Sequence, residues 1–362
     1  MEERKFVVDY YVRTSFENQN EELVSECPKI SVIENITNNY IVKCFDNITE
    51  NLICKGNLKS NDTYIGARQW FTYWRVEVWD DKETELLHTD IFNPTNQVIS
   101  IVFDLDELGG TLAWIPYVEE FRKKHNCSVI CSTKWNNLFE KEYPEIIFVP
   151  HYTKITNAYA QFCIGVAWDG NLVVMPNDWK KQTFQKLGAD ILGIDFTEIK
   201  PKVTIPDKPR PIQEKYVCIS EFGSGRNKMW IYPNGWQTVV DFLNSKGYKV
   251  VVISKEITTL ANIIDKSGNK PIQERVWYLK SADFFIGVPS GLAWLSWAVG
   301  THVVMISDYT PVWYEFQTNI TRLFNKEHPK TALGQEIELS KPIEVSDVLI
   351  ALENTINERY NK

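Results

Sequence analysis

Two blocks of unbroken apolar strands, each strand followed by a loop and an amphipathic helix, constrain this chain more than any other feature. In the first block VISIVFD (98–104) reads as a strand. ELGG (107–110) then leads into TLAWIPYVEEFRKKH, where Leu112, Ile115, Val118 and Phe121 recur at helical spacing. CSVICST (127–133) and IIFVP (146–150) read as further strands, and WKKQTFQKLGADILGI (179–194) as a helix. The pattern restarts after PKVTIPDKPRP (201–211), whose four prolines exclude a helix and suit an extended connector. There YVCIS (216–220), YKVVVIS (248–254), ADFFIGV (282–288) and THVVMIS (301–307) are strands, and GWQTVVDFLNSKG and LAWLSWAVG are helices. Strands that are apolar throughout are buried on both faces, the condition of a parallel sheet covered by crossover helices.

Residues 1–95 have a different texture. Short β-favouring stretches, among them KFVVDYYVR, NYIVKCF and WFTYWRVEVWD, are separated by Asn, Asp, Glu and Gly clusters. In the last of them Trp74, Val76 and Val78 alternate with Arg75, Glu77 and Trp79, the period of a strand with one face buried. The expected architecture is therefore α/β. A small β-rich domain (1–95) precedes two Rossmann-like domains (96–202 and 203–362) that face each other across a cleft. Ligands in such folds bind at the carboxyl ends of the strands.

Composition removes several classes of function. The net charge is −8 and the Lys and Arg residues are scattered, so no broad positive face for nucleic acid is visible. No segment approaches the roughly 18 to 20 apolar residues of a membrane span, and the start has no apolar run fit for a signal peptide, so a cytoplasmic protein is expected. Seven Cys and five His show no zinc-like spacing. The expectation is no disulfide, no metal and no cofactor beyond a substrate.

Three features could carry chemistry. ADFFIGVPSGLAWLSWAVG joins a buried strand to a helix through Pro289-Ser290-Gly291, which aims free N–H groups and the positive end of the helix dipole out of the sheet edge. The bland alternative is an ordinary strand-turn-helix join capped by Ser290. ISEFGSGRNKMW (219–230) runs from a strand into a loop with two Gly and two Ser before Arg226 and Lys228. Its amides and cations suit a diphosphate, although the spacing is not that of a Walker loop. FDLDELGGTLAW sets Asp104, Asp106 and Glu107 after the first strand, where a carboxylate could take a proton from an acceptor hydroxyl or merely complement a helix dipole. Glu256, after a later strand, is either a ribose acceptor or solvated surface. Thirteen Trp and sixteen Tyr add weak support for a sugar ligand.

LGGTLAWIPYVEEFRKKH, YVCIS, the loop ending in Lys228 with PNGW after it, YKVVVISKE and SADFFIGVPSGLAWLSWAVGTHVVMIS resemble, in order, the bacterial autotransporter O-heptosyltransferases. These belong to the wider ADP-heptose heptosyltransferases of the GT-B fold. The resemblance implies transfer of heptose from ADP-heptose to a Ser or Thr hydroxyl, with inversion and without a catalytic metal. It implies that Lys228 holds the diphosphate, with Ser290, Gly291 and Leu292 at the helix N-terminus and Ser220 and Ser224 beside it. Two positions depart from the family. Leu108-Gly109-Gly110 stands where an LGD with a basic Asp is expected, which leaves Asp106 or Glu107 as substitutes. No Cys follows Cys218, so the family's Cys-rich iron finger is missing. The partners implied are a nucleotide sugar and a protein or glycan acceptor, and homo-oligomer formation stays open. Two other readings also stay open: an idle nucleotide-sugar-binding protein and an epimerase-like enzyme, the latter disfavoured because no GxGxxG follows the first strand.

Overall fold

The computed structural model describes residues 5–10, 28–33, 37–66, 70–103, 106–151, 153, 155, 157–165, 167–169, 172–174, 177, 181–225, 228–307, 310–324 and 342–360. Six α-helices occur among them: α1 (Leu108–His125), α2 (Phe184–Ile191), α3 (Gly235–Ser245), α4 (Ile272–Ser281), α5 (Gly291–Val299) and α6 (Val345–Tyr360). None is long and apolar enough to cross a membrane.

Two parallel sheets form where the apolar runs require them. The first is ordered Ile146–Val149, Ser128–Ser132, Val98–Phe103, Ala160–Ile164. The second is ordered Ile264–Asp265, Lys249–Val252, Tyr216–Ser220, Phe284–Gly287, His302–Ser307, Ile320–Phe324. In each, the chain builds outward from its first strand and then crosses back to that strand's other side. This reversal opens a crevice at the strand ends. In the second sheet it falls between Ser220 and Gly287, at the heads of the loops that carry Lys228 and Ser290.

The second sheet is covered on both faces, which is why its strands read as continuous apolar runs. Val217, Ile219, Val250, Val252, Phe284 and Ile286 pack toward α3 and α6. Cys218, Val251, Phe285, Val303 and Met305 join the opposite core, which includes α4 and α5. That core continues without a break through α1 and the first parallel sheet into the amino-terminal strands.

The amino-terminal residues form antiparallel sheets. Four strands run in the order Leu52–Lys59, Asn39–Asp46, Trp74–Asp80, Leu86–Ile91, and three in the order Lys5–Asp9, Lys29–Ile33, Thr63–Ile65. Trp74, Val76 and Val78 are buried, as their alternation requires. Tyr10 bridges in parallel to Ala160 of the first parallel sheet, and its ring packs on Phe92 and Tyr159.

Where α1 ends beneath this region, His125 is 5% exposed among Phe71, Phe121 and Tyr73, and its Nε2 has no partner among the described residues. Burial pushes its pKa down to about 4. The unfolded chain takes up this proton near pH 6.5, the folded one only near 4, so the stability from a neutral His125 is complete above 6.5 and is lost as the pH falls toward 4. The expected loss between pH 7 and pH 4 is about 3 kcal/mol. Urea unfolding at several pH values checks it, because His125→Leu removes this share of the acid sensitivity. Equal slopes in the two proteins would refute the assignment.

Candidate active site at the meeting of two helix N-termini

A cavity of about 880 Å³ opens at the carboxyl ends of both parallel sheets, within the range of small-ligand sites. Its walls include Asp106 to Gly110 from the first sheet's side. Ser220, Ser224, Lys228, Glu256, Ser290, Gly291 and Leu292 come from the second. The structure thus brings together every described residue that the sequence singled out. Asp104 and Arg226 lie outside the described residues.

The helix α5 begins immediately after its strand. Ser290 is its N-cap, in extended backbone, and the Ser290 hydroxyl accepts from the Ala293 N–H at 3.4 Å. The N–H groups of Gly291 and Leu292 precede the first intrahelical bond and are free for an acceptor from outside the helix. Helix α1 begins equally close to the cavity, with Glu107 as its N-cap. The two starts touch: a Cβ on Gly291 would lie 2.8 Å from Leu108 Cβ and 3.1 Å from the Gly109 nitrogen. Only glycine permits this approach. Two positive dipole ends therefore face one space, a field suited to an anion.

Lys228 reaches the same space from the glycine loop, where its Nζ donates to Ser224 Oγ at 3.1 Å. Gly223 lets that loop lie close, since a Cβ there would meet Lys228 Cβ at 2.9 Å and the Pro289 carbonyl oxygen at 3.4 Å. Ser220 is buried at the end of its strand, 3.5 Å from Ser254 Oγ. Lys255, Lys270 and Arg275 line the wall beyond it, so this side of the cavity is cationic in a chain of net charge −8.

The two acidic candidates differ in their surroundings. Asp106 is an ion-pair partner of Lys134, and its Oδ1 lies 3.0 Å from His151 Nδ1. His151 Nε2 faces the Phe103 carbonyl at 3.0 Å. Glu107 makes no side-chain hydrogen bond or ion pair to the described residues. Gly110, where a carboxylate was expected, is buried, and a Cβ on it would meet the Trp114 ring at 3.1 Å.

Below the helix starts the cavity is floored by aromatic rings from both sheets' helices and loops. Phe184 lies 4.9 Å from Trp114, 5.9 Å from Trp294 and 5.4 Å from Tyr314 between ring centroids. The Trp114 indole donates to the Phe184 carbonyl at 2.7 Å, and the Phe184 N–H to the Tyr314 carbonyl at 2.7 Å. Sequence reading missed Phe184, Tyr314, Lys134, Lys255 and Arg275 as site residues. Lys134 and Lys255 had a signal, their place just past a strand; Arg275, inside a helix, had none.

No family model matches the chain. It is 33% identical over 278 residues, 74% of its own length and 68% of the relative's, to the autotransporter heptosyltransferase BAHTCr of Citrobacter rodentium. The chain belongs to the autotransporter heptosyltransferases. Among these heptosyltransferases it is also 31% identical over 275 residues, 71% of its length, to BimC of Burkholderia thailandensis, described as inactive, of which it covers 64%. The solved structure of heptosyltransferase TibC with ADP-D-beta-D-heptose superposes with a TM-score of 0.81 and 26% identity, over 92% of this chain and 95% of that one.

TibC is described as dodecameric and iron-containing. That description overturns the expectation that this heptosyltransferase takes no cofactor, which rested on Cys and His spacing and on a missing finger. The described residues do not fit a metal: no group of three or more His, Cys, Asp or Glu among them could hold an ion.

Proposed function

We propose that this protein transfers heptose from ADP-heptose to a Ser or Thr hydroxyl of a protein acceptor, with inversion at the anomeric carbon. The convergence of the α1 and α5 starts and Lys228 on one cavity, in a member of this family, carries the reading. Lys228 and the amides of Gly291 and Leu292 bind the diphosphate, with Ser220, Ser224 and Ser290 beside it and Glu256 toward the ribose. As the acceptor oxygen attacks the anomeric carbon, its proton passes to a carboxylate at the head of α1. The bond to the β-phosphate breaks, and its electron pair leaves with ADP, whose growing charge the cation and the helix ends stabilise.

Between the two candidates the base is Glu107. Asp106 is engaged by Lys134 and His151, whereas Glu107 has no such partner. The reading divides the chain into a β-rich domain (1–95), an acceptor-side domain (96–202) and a donor-side domain (203–362), with the separateness of the sheets in its support. Homo-oligomer formation is part of the reading, by kinship with dodecameric TibC.

A second reading, an idle binder of the ADP-sugar, is favoured by Gly110 and by the kinship with a relative described as inactive. One assay separates the two. The protein is incubated with ADP-heptose, UDP-sugars or GDP-sugars, with and without an autotransporter fragment, and nucleotide release is followed. Release of ADP that requires the fragment is the expected result; tight ADP-heptose binding without release under any condition supports the idle reading. In either case Lys228→Ala weakens ADP binding about 10- to 100-fold, the worth of a charge-assisted hydrogen bond. Unchanged ADP affinity in a titration of that variant would remove Lys228 from the site.

A further inference from the structure

Helix α4 carries a buried cation that the transfer chemistry above does not use. Arg275 is 5% exposed and makes four hydrogen bonds, all to backbone carbonyls. Nε donates to Ile253 at 3.0 Å, Nη1 to Lys270 at 3.0 Å, and Nη2 to Ser254 at 3.2 Å and to Gly268 at 2.5 Å. Its fifth N–H, on Nη1, has no acceptor among the described residues. Burial pushes its pKa down against the opposing pull of the Glu274 and Glu256 carboxylates, neither of which hydrogen-bonds it among the described residues. Burying a guanidinium without a hydrogen-bonded anion is costly, and the cost is offset here by backbone carbonyls that would lose this donor if the side chain were removed.

What the guanidinium holds explains its presence. Ile253 and Ser254 follow the strand Lys249–Val252 and lead to Lys255 and Glu256, and Gly268 and Lys270 bracket Asn269. Lys255, Glu256, Asn269, Lys270 and Arg275 all line the cavity. Gly268 has φ +91°, a left-handed conformation that turns its carbonyl to Arg275. Its N–H also donates to the Ser254 carbonyl at 3.0 Å, so the two segments are tied to each other as well as to the fork. The strand Lys249–Val252 stands two places from Phe284–Gly287, the strand that feeds α5. At the spacing of neighbouring strands that is about 10 Å from the diphosphate, the distance of a nucleoside from its phosphates.

We propose that Arg275 is a positioning residue that builds the nucleoside end of the donor site, by fixing the two loops that receive ribose and base. This role rests on the donor reading above and goes beyond it. A planar fork with five donors can hold four carbonyls at once; an ammonium on a flexible stem cannot.

The test uses the full chain with Arg275→Lys and, separately, Gly268→Ala. The second leaves Arg275 in place but strains the turn, where a Cβ would also press on Ile257 Cδ1 at 3.0 Å. Each protein is titrated with ADP and, in competition, with inorganic pyrophosphate, and its folding is followed by circular dichroism. The expected result is ADP affinity weakened about tenfold in Arg275→Lys and in the same direction in Gly268→Ala, with pyrophosphate affinity within about twofold of wild type. A pyrophosphate value that holds while ADP falls is not what general loosening of the fold produces. ADP affinity unchanged in the folded variants, or ADP and pyrophosphate weakened alike, overturns the role of Arg275. If Arg275→Lys does not fold, Gly268→Ala decides by the same two affinities. Wild-type protein that binds neither ADP nor ADP-heptose overturns the donor reading itself, a distinct outcome.

Discussion

Exchanging Glu107 for glutamine lowers acceptor-dependent ADP release by about 10²- to 10⁴-fold while ADP affinity stays within about twofold, the signature of a lost general base. Glutamine keeps the length and hydrogen-bonding shape of the side chain but cannot take a proton. The expectation rests on a contrast between neighbours. Asp106 is held by Lys134 and His151, and moving it onto an acceptor hydroxyl means breaking an ion pair; Glu107 stands at the head of α1 with no such tie. Initial rates with saturating donor decide the matter. Wild-type turnover in Glu107→Gln, with loss in Asp106→Asn, would move the role one residue back. Adding Gly110→Asp to the Glu107→Gln protein is informative in its own right. A Cβ at Gly110 comes to 3.1 Å from the Trp114 ring, so the new carboxylate is accommodated only if that ring gives way.

Gly291→Ala is expected to cut kcat/KM for the donor by about 10²-fold and to lower the unfolding midpoint as well. Its Cβ would stand 2.8 Å from Leu108 Cβ and 3.1 Å from the Gly109 nitrogen. The second of these is backbone and cannot swing aside, so one helix start must retreat from the other. Overpacking of this kind costs about 1 to 3 kcal/mol, and a misplacement of about 1 Å at a reacting group costs about 10²-fold in rate. Steady-state kinetics and a thermal melt on the same preparation measure both. A variant with wild-type kcat/KM would mean that the contact between the helix starts is compliant and that the helix ends need no such closeness.

Among the parallel strands, those that sequence reading located are largely apolar because both faces are covered: Val98–Phe103, Tyr216–Ser220 and His302–Ser307 are examples. Three edge strands of the parallel sheets escaped it, and in each the apolar run is short or interrupted. Ile264–Asp265 has two residues, Ala160–Ile164 carries the polar though buried Gln161, and Ile320–Phe324 carries Thr321 and Arg322 on a half-buried edge. The helix read over 179–194 is shorter, Phe184–Ile191, because the Thr183 hydroxyl accepts from Lys186 N and starts it there. Helix α6, with its polar outer face, went unread.

The site divides along the same line. Ser290, Gly291 and Lys228 were legible because strand-to-helix joins and glycine loops announce themselves within a dozen residues. Phe184, Tyr314 and Arg275 were not, since each enters the cavity only after distant segments have packed. The exposed geometry also reordered what could be read: Asp106 and Glu107 are equivalent as letters, and only their neighbours tell them apart.

Helix α1 spans 18 residues, roughly 27 Å at the rise of an α-helix. One end presses Gly109 against Gly291; the other is seated, through His125 and Phe121, against Phe71 and the amino-terminal strands. The β-rich segment is thus the abutment of a strut whose far tip lines the cavity. Its aromatic seat sets where that tip comes to rest, and in this chain an element remote from the chemistry helps to determine its alignment.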